Sequence, residues 1–441
     1  MKYLRQPLTL ALLVVMLPAV TLFAAGCLRY GGVDGLVRRL QTEINSRQPH
    51  PEFVPTPMMV TMLQGEVELA FNQSAEMSPA ISAAASPTVA ILPMPTSPAG
   101  STPSSGIAAA APIFTPPLHQ PARSAVELTG FRHEWQTWNN CGPATLSFYL
   151  SHYGSRLTQQ EIGSTLRTHE DDKNVDLYEI ANFAGNLGYR WDVRVNGSAD
   201  LLRTFVSNGI PVLIETWHEA EPNNGMGHYR LITGYDDAAQ HWIAYDSYDT
   251  ANLIAPNGPY RGIRLPYAET DQLWKVFNRL YVVIYPLDKK PLVSSIFGPE
   301  LVDPMMSRVA ALEQAKAEIA ADPNDAFAWF NLGSMLAAFN TPADAAIAFD
   351  RARQIGLPWR MLWYQYAPFE VYSRMGRHQE VLALADATLR TVKSIEEIYF
   401  WKGRALAGLG DVDGARQQWQ QALALNPNFT LARNALAEVG E

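Results

Sequence analysis

The chain of 441 residues contains two cysteines, Cys27 and Cys141, and only the second has neighbours that suit a reaction. Cys141 precedes Gly142 and Pro143. Beyond them Leu146, Phe148, Tyr149, Leu150 and Tyr153 place apolar side chains at helical spacing. Proline fits a first helical turn, where its missing N–H would have had no partner. Cys141 therefore opens a helix, facing unpaired backbone N–H groups and the positive end of the helix dipole. Both favour the thiolate, the form that attacks. Gly142 leaves room for a substrate to approach the backbone. A thiolate nucleophile also requires a base and a group that orients the base.

Those partners must come from elements further along. Gly209 to Glu215 reads as a turn into a buried strand. Gly227-His228-Tyr229-Arg230-Leu231-Ile232-Thr233-Gly234-Tyr235-Asp236 reads as a second strand ending in a turn, and Trp242 to Tyr248 as a third. Upstream, Gln136 stands five residues before Cys141 in Gln136-Thr137-Trp138-Asn139-Asn140-Cys141-Gly142-Pro143-Ala144-Thr145.

This set of segments resembles the C39-like branch of the papain-like cysteine peptidases. Its pattern is a Gln shortly before Asn-x-Cys-Gly-Pro, then Gly-x-Pro-Val, then Gly-His-(Tyr/Phe), then a strand ending in Asp-Pro or Asp-Ser. The likeness runs from about Val126 to Pro286 and includes Asp176-Leu177-Tyr178-Glu179-Ile180 and Leu187-Gly188-Tyr189. It implies that Cys141 is the nucleophile, His228 the general base and later acid, and Asp246 the group that holds the imidazole tautomer. It implies that the Gln136 amide and the Cys141 backbone N–H donate to the oxyanion, donors typically worth about 10²–10³ in rate. It also implies a papain-like α+β domain, with the Cys141 helix against an antiparallel sheet that carries His228 and Asp246. The substrate is then a peptide or protein, and no cofactor is needed. Trp138, Gly142 and Gly227 are candidates for the substrate groove, Trp138 equally for packing beside Cys141. Members of the family proper cut bacteriocin leaders after a double glycine and are fused to an export transporter. This sequence has neither transporter segments nor a nucleotide-binding loop, so that substrate is not carried over.

Each residue also has a plainer reading. Free cysteines are mostly small buried hydrophobes, a histidine in a strand is mostly a satisfied core residue, and an aspartate at a strand end mostly forms a turn. Gln136, Cys141, His228 and Asp246 together, each in its own expected setting, favour chemistry. Glu215, His218, Glu219 and Glu221 with His228 suggest a metal site by type, but they read as a solvated loop without regular ligand spacing. Asp236 and Asp237 read as turn residues. Glu170, Asp171 and Asp172 read as a solvated loop that would favour basic substrates if it lay beside the cleft.

The amino terminus is an export signal. Lys2 and Arg5 precede an apolar run from Leu8 to Ala25, and Ala24-Ala25-Gly26-Cys27 resembles a lipobox, which implies lipidation of Cys27. An ordinary cleaved signal or an uncleaved anchor are the alternatives, the run being just long enough to span a bilayer. All three place the rest of the chain outside the cytoplasm, attached to a membrane or secreted. Gly31 to Gln48 has the pattern of a short amphipathic helix. The Pro-, Ala-, Ser- and Thr-rich stretch from 28 to 122 reads as an extended, unpacked, disordered linker. A net charge of −9 with no basic tract argues against nucleic-acid binding.

From about Pro304 the sequence repeats at 34–36 residues. Trp329, Leu332, Gly333, Leu336, Ala345, Phe349 and Ala352 form one copy, and Tyr399, Gly403, Leu406, Ala415, Trp419, Ala422 and Pro427 another. Tyr372, Gly376, Val381 and Ala385 form a degraded copy between them. The pattern resembles tetratricopeptide repeats, an all-α solenoid that usually binds a protein partner. The expected organisation is a signal over 1–27, a linker over 28–122, a peptidase domain over 123–290 and repeats over 303–441. The alternative function is a catalytically silent peptide-binding scaffold. A small repeat array can also act as a structural cap on the peptidase.

Overall fold

The computed structural model describes residues 51–58 and 118–440 except 174 and 220, with a few isolated positions between 21 and 37. Most of the export signal, the helix expected over 31–48 and most of the linker lie outside the described residues. Cys27, at one of the isolated positions, carries a free thiol. Among the described residues, no helix is long and apolar enough to cross a membrane.

The first described domain is a seven-stranded antiparallel sheet with helices on both faces. In chain order its elements are β1 (Ala125–Glu127), α1 (Cys141–His152), α2 (Gln159–Leu166), α3 (Leu177–Asn186), β2 (Arg190–Arg194), α4 (Ala199–Ser207), β3 (Val212–His218), β4 (Met226–Asp236), β5 (His241–Asp246), β6 (Ile263–Pro266), α5 (Tyr267–Lys275), β7 (Tyr281–Tyr285) and α6 (Lys290–Leu301). The strand order is β2-β7-β3-β4-β5-β6, with β1 paired to β4. The three strands legible in the sequence are thus the centre of a wider sheet.

Continuous apolar runs form the central strands because both of their faces are covered. Leu213, Tyr229, Leu231, Val282 and Ile284 pack with Leu146, Tyr149, Leu150 and Ile180 of α1 and α3. Ile214, Ile232, Tyr281 and Val283 pack with Leu202, Phe205, Trp274, Val293, Ile296 and Phe297 on the other side. The last three belong to α6, so this core continues past the expected boundary at 290.

The second domain is a run of helices: α7 (Pro304–Ala321), α8 (Ala326–Ala338), α9 (Pro342–Ile355), α10 (Ala367–Arg374), α11 (His378–Thr391), α12 (Glu396–Gly408), α13 (Val412–Leu425) and α14 (Thr430–Glu438). Its repeat glycines allow close helix contact. A Cβ on Gly333 would meet the Phe349 ring at 2.8 Å, and one on Gly403 the Trp419 indole at 2.4 Å. Between α9 and α10 the degraded copy is interrupted by a non-repeat segment, 357–366, with a short 3₁₀ turn at Met361–Trp363.

Residues 51–58, expected to be unpacked linker, lie on this helical domain. Val54 is buried and donates its N–H to the Leu357 carbonyl at 2.9 Å. The Pro55 carbonyl accepts from Arg353 Nε at 2.8 Å, and the Met58 N–H donates to Glu380. Buried Arg353 and Glu380 also form an ion pair at 2.7 Å.

The helical domain packs directly on the sheet domain. Glu318 receives Lys275 and Arg279 at 3.3 and 2.8 Å. Asn331 and Gln365 donate to the Lys275 and Val276 carbonyls. Trp359 Nε1 donates to the Asn223 carbonyl at 2.9 Å, and Arg360 Nη1 to those of Asn224 and Gly225 at 3.2 Å. These last contacts lie on the 219–225 loop, which leads into His228.

Candidate active site

Cys141 is the first residue of α1 and is half-buried. The preceding turn carries Asn139 at φ 51°, a left-handed conformation that asparagine tolerates. Asn140 caps the helix without a side-chain bond to it. Its amide donates instead to Gln159 Oε1 at 2.9 Å. Gln159 also accepts from the Thr137 N–H at 2.8 Å and donates to the Trp135 carbonyl and Glu134 at 2.9 and 3.1 Å. One buried glutamine on α2 thus holds the loop that delivers Cys141. Nothing in the local sequence distinguishes Gln159 or Glu134 from ordinary polar residues, and sequence reasoning missed both.

His228 enters from β4 and Asp246 from the end of β5. His228 Nε2 bonds Asp246 Oδ1 at 2.9 Å, and the two residues are 2% and 0% exposed. With Nε2 committed to a carboxylate, Nδ1 is the ring nitrogen left for the Cys141 thiol, whose proximity contributes to the raised His228 pKa. Burial alone would lower the His228 pKa. The charge and hydrogen bond of Asp246, then those of Cys141, outweigh it and raise the value to about 9. Burial likewise opposes ionisation of Asp246, but His228 and Arg230 hold its carboxyl far below the usual range.

Arg230 is a component that sequence reasoning missed. It lies directly across from Asp246 in the β4–β5 ladder, and its Nε donates to Asp246 Oδ2 at 2.9 Å. Its other nitrogens reach Thr216 Oγ1 at 2.7 Å and His218 Nδ1 at 3.2 Å. The Tyr248 and Asp249 N–H groups each donate to Asp246 Oδ1 at 2.7 Å. His133 and the Tyr260 hydroxyl bond its backbone carbonyl at 2.8 and 2.9 Å. The signal available in the sequence was the alternation His228, Arg230: two charged groups on one face of an otherwise apolar strand.

Gln136 lies beside the residue after Asp246. Its N–H donates to the Ser247 carbonyl at 2.9 Å, and its Oε1 accepts from Ser247 Oγ at 2.8 Å. The second bond orients the amide, leaving Nε2 as the donor end.

The remaining candidates have these surroundings. The absent Cβ of Gly142 points inward, 3.2 Å from Ile180 Cδ1 and 3.4 Å from the Tyr229 ring, so its smallness serves helix–sheet packing. The absent Cβ of Gly227 faces Tyr364 of the helical domain at 3.1 Å and Phe277 at 3.2 Å. Trp138 is tied to the 170s loop: its Nε1 reaches Asp171 at 3.3 Å and Lys173 lies over its ring. In that loop Asp172 is buried, not solvated, and accepts from the Thr168 N–H at 3.1 Å.

Glu215 and His218 belong to β3, not to a loop. The His218 pKa is lowered to about 4 by burial and by the charges of His228 and Arg230. Glu219 accepts from Trp217 Nε1 and the Asn223 N–H. Among the described residues, no group of His, Cys, Asp and Glu is placed to hold a metal ion. Asp236 serves its turn by accepting from the Ala239 N–H, while Asp237 binds Arg203 and Tyr267.

The family model of the C39-like peptidases matches residues 125–257, and tetratricopeptide-repeat models match 310–356 and 396–429. No curated protein sequence matches the chain. Among solved structures, the peptidase domain of Streptococcus ComA, a bi-functional ABC transporter, is similar at 16% identity. That match covers 36% of this chain and 99% of that one, with a TM-score of 0.28. Xylellain, a cysteine protease from Xylella fastidiosa, is similar at 14% identity over 38% of this chain and 91% of its own, with a TM-score of 0.29. Over the repeats, MamA from Desulfovibrio magneticus RS-1 is similar at 17% identity, covering 30% of this chain and 84% of that one, with a TM-score of 0.26. The chain carries a C39-like peptidase domain followed by tetratricopeptide repeats.

Proposed function

We propose that this chain is a cysteine peptidase that is exported and held at a membrane by its amino terminus, Cys27 being the lipidated residue. The observation that carries the enzymatic reading is His228, bonded through Nε2 to buried Asp246 at 2.9 Å and close enough to Cys141 for the thiol to raise its pKa. In this mechanism the Cys141 sulfur attacks the substrate carbonyl carbon, and the oxygen takes up the negative charge beside Gln136 Nε2 and the Cys141 N–H. His228 then protonates the leaving amine as the C–N bond breaks, which leaves an acyl thioester on Cys141. Water, deprotonated by His228, attacks the thioester and releases the acid and the thiol. Asp246 keeps the imidazole tautomer and balances its positive charge, and Arg230 holds Asp246 in place. The repeats bind a protein partner or the substrate itself.

Comparison of the extracytoplasmic proteome cleaved by wild type with that cleaved by Cys141→Ser tests this reading. New protein termini that depend on Cys141 support it. Identical profiles, together with a partner retained by the repeats in both, favour the silent scaffold.

A further inference from the structure

Residues 51–58 lie on the helical domain as a bound peptide would. Val54 and Pro57 are buried, whereas Phe53, Thr56 and Met58 are exposed. Burial of every third residue is the period of a polyproline II helix, the conformation that Pro51, Pro55 and Pro57 favour. The hydrogen bonds use the segment's backbone. The Val54 N–H donates to the Leu357 carbonyl at 2.9 Å, Arg353 Nε to the Pro55 carbonyl at 2.8 Å, and the Met58 N–H to Glu380 Oε2 at 3.1 Å. Phe53 pairs with Pro358 in an antiparallel bridge, and a Cβ on Gly356 would meet its ring at 3.1 Å. Prolines at 55 and 57 forfeit none of these bonds, because the donating N–H groups belong to Val54 and Met58.

The charges of the receiving surface balance without the segment. Arg353 and Glu380 are both buried and pair with each other at 2.7 Å. Arg377 reaches Glu380 at 3.4 Å and Asp350 at 2.7 Å, and Asp350 accepts from the Tyr372 hydroxyl at 2.8 Å. Arg353 and Arg377 both lie over the Tyr372 ring. The network is thus closed among α9, α10 and the start of α11, and it still offers Arg353 Nε and Glu380 Oε2 to a ligand. A fixed donor and a fixed acceptor, beside a surface that buries every third side chain, recognise an extended backbone. A proline-rich backbone comes already ordered and loses less entropy on binding. The sequence carries the same pattern twice. Phe53-Val54-Pro55-Thr56-Pro57 and Ile91-Leu92-Pro93-Met94-Pro95 are each two apolar residues followed by Pro-x-Pro.

We propose that the surface between α9 and α11 is a peptide-binding site for segments of the pattern apolar-apolar-Pro-x-Pro, which the chain fills with its own residues 53–57. A partner presenting that pattern enters by displacing them. This rests on the reading of the repeats as a binding platform, to which it adds the site and the ligand, and it does not depend on the peptidase reading. The test uses the full chain, as wild type and as Val54→Asp, in which the buried charge is expected to release the segment. A fluorescent peptide of residues 51–58 is titrated into each and followed by anisotropy. The same peptide carrying the Val54→Asp change and a peptide of residues 90–96 are run beside it. The 51–58 peptide is expected to bind the Val54→Asp chain at least about tenfold more tightly than wild type, where the tethered copy competes at an effective concentration on the order of millimolar. The 90–96 peptide is expected to show the same preference, and the Asp-bearing peptide no binding. Saturating 51–58 peptide is expected to raise the unfolding temperature of the Val54→Asp chain towards that of wild type. Equal affinity for the two chains, no binding to a folded Val54→Asp chain, binding of the Asp-bearing peptide or failure of the 90–96 peptide overturns the site. A Val54→Asp chain that does not fold overturns it too, because 51–58 is then a fixed part of the core. A protein partner retained by the wild-type repeats despite such a result keeps their binding role and removes this site alone.

Discussion

His228 and Arg230, two residues apart on one strand, divide the carboxylate of Asp246 between them, one on each oxygen and each at 2.9 Å. The arrangement separates two roles that a single Asp–His pair would combine. In the proposed mechanism His228 carries the proton chemistry, while Arg230 keeps Asp246 ionised and immobile in a site buried from water. Replacing Asp246 with Asn preserves the shape but loses the charge and the tautomer control, and is expected to lower kcat/KM on the order of 10³-fold. Replacing Arg230 with Met leaves Asp246 its bond to His228 but breaks a buried ion pair. The expected result is a loss of about 3–5 kcal/mol in stability by urea denaturation, with a smaller loss in rate than for Asp246→Asn.

The pair has a definite pH window. The folded-state pKa of His228 is raised from 6.5 to about 9. The imidazolium–carboxylate contribution is therefore fully present below 6.5 and is lost as pH rises through about 9. Asp246 is depressed from 3.8, so its contribution is present above that value and is lost as pH falls towards the folded-state value. The stability difference between wild type and Asp246→Asn is expected to be largest between about pH 4 and 6.5 and to shrink by pH 10. Urea titrations at pH 6 and pH 10 check this. Activity is expected to show an alkaline limb near pH 9 as His228 loses the proton it gives to the leaving amine.

The helical domain reaches the cleft at Gly227. A methyl group there would sit 3.1–3.2 Å from ring atoms of Tyr364 and Phe277, both held in an aromatic cluster. Gly227→Ala is expected to cost about 1–3 kcal/mol by overpacking and to lower the rate, because the displaced residue adjoins His228. Thermal unfolding combined with Cys141 labelling reads both effects. Tyr364→Ala in the same background is expected to recover part of the stability.

Much of this was legible in the sequence, for physical reasons. A helix start with proline, a buried apolar strand and a repeat of small and large residues are local patterns, and each was read from a few adjacent positions. Cys141, His228, Asp246 and Gln136 were singled out through such settings. Arg230, Gln159 and Ser247 did not, because their work depends on which strand or loop lies opposite. The strand that ends at Glu215 in the sequence reading continues to His218, which was misread as loop because a strand with charged residues at its end looks polar. The contact of 51–58 with the repeats was missed because its prolines suit an extended segment equally well in water or on a protein surface. The closeness of Tyr364 to Gly227 joins residues 137 positions apart, and no local pattern announces it.

The measurement that bears most directly on the central claim is the second-order rate of alkylation of Cys141 by iodoacetamide at pH 6, resolved from Cys27 by mass spectrometry and compared with an unstructured thiol peptide. Cys141 paired with the His228 imidazolium is expected to react at least about tenfold faster than the peptide, with that excess abolished in His228→Ala. A rate equal to or below that of the peptide, unchanged in His228→Ala, would contradict a catalytic role for Cys141.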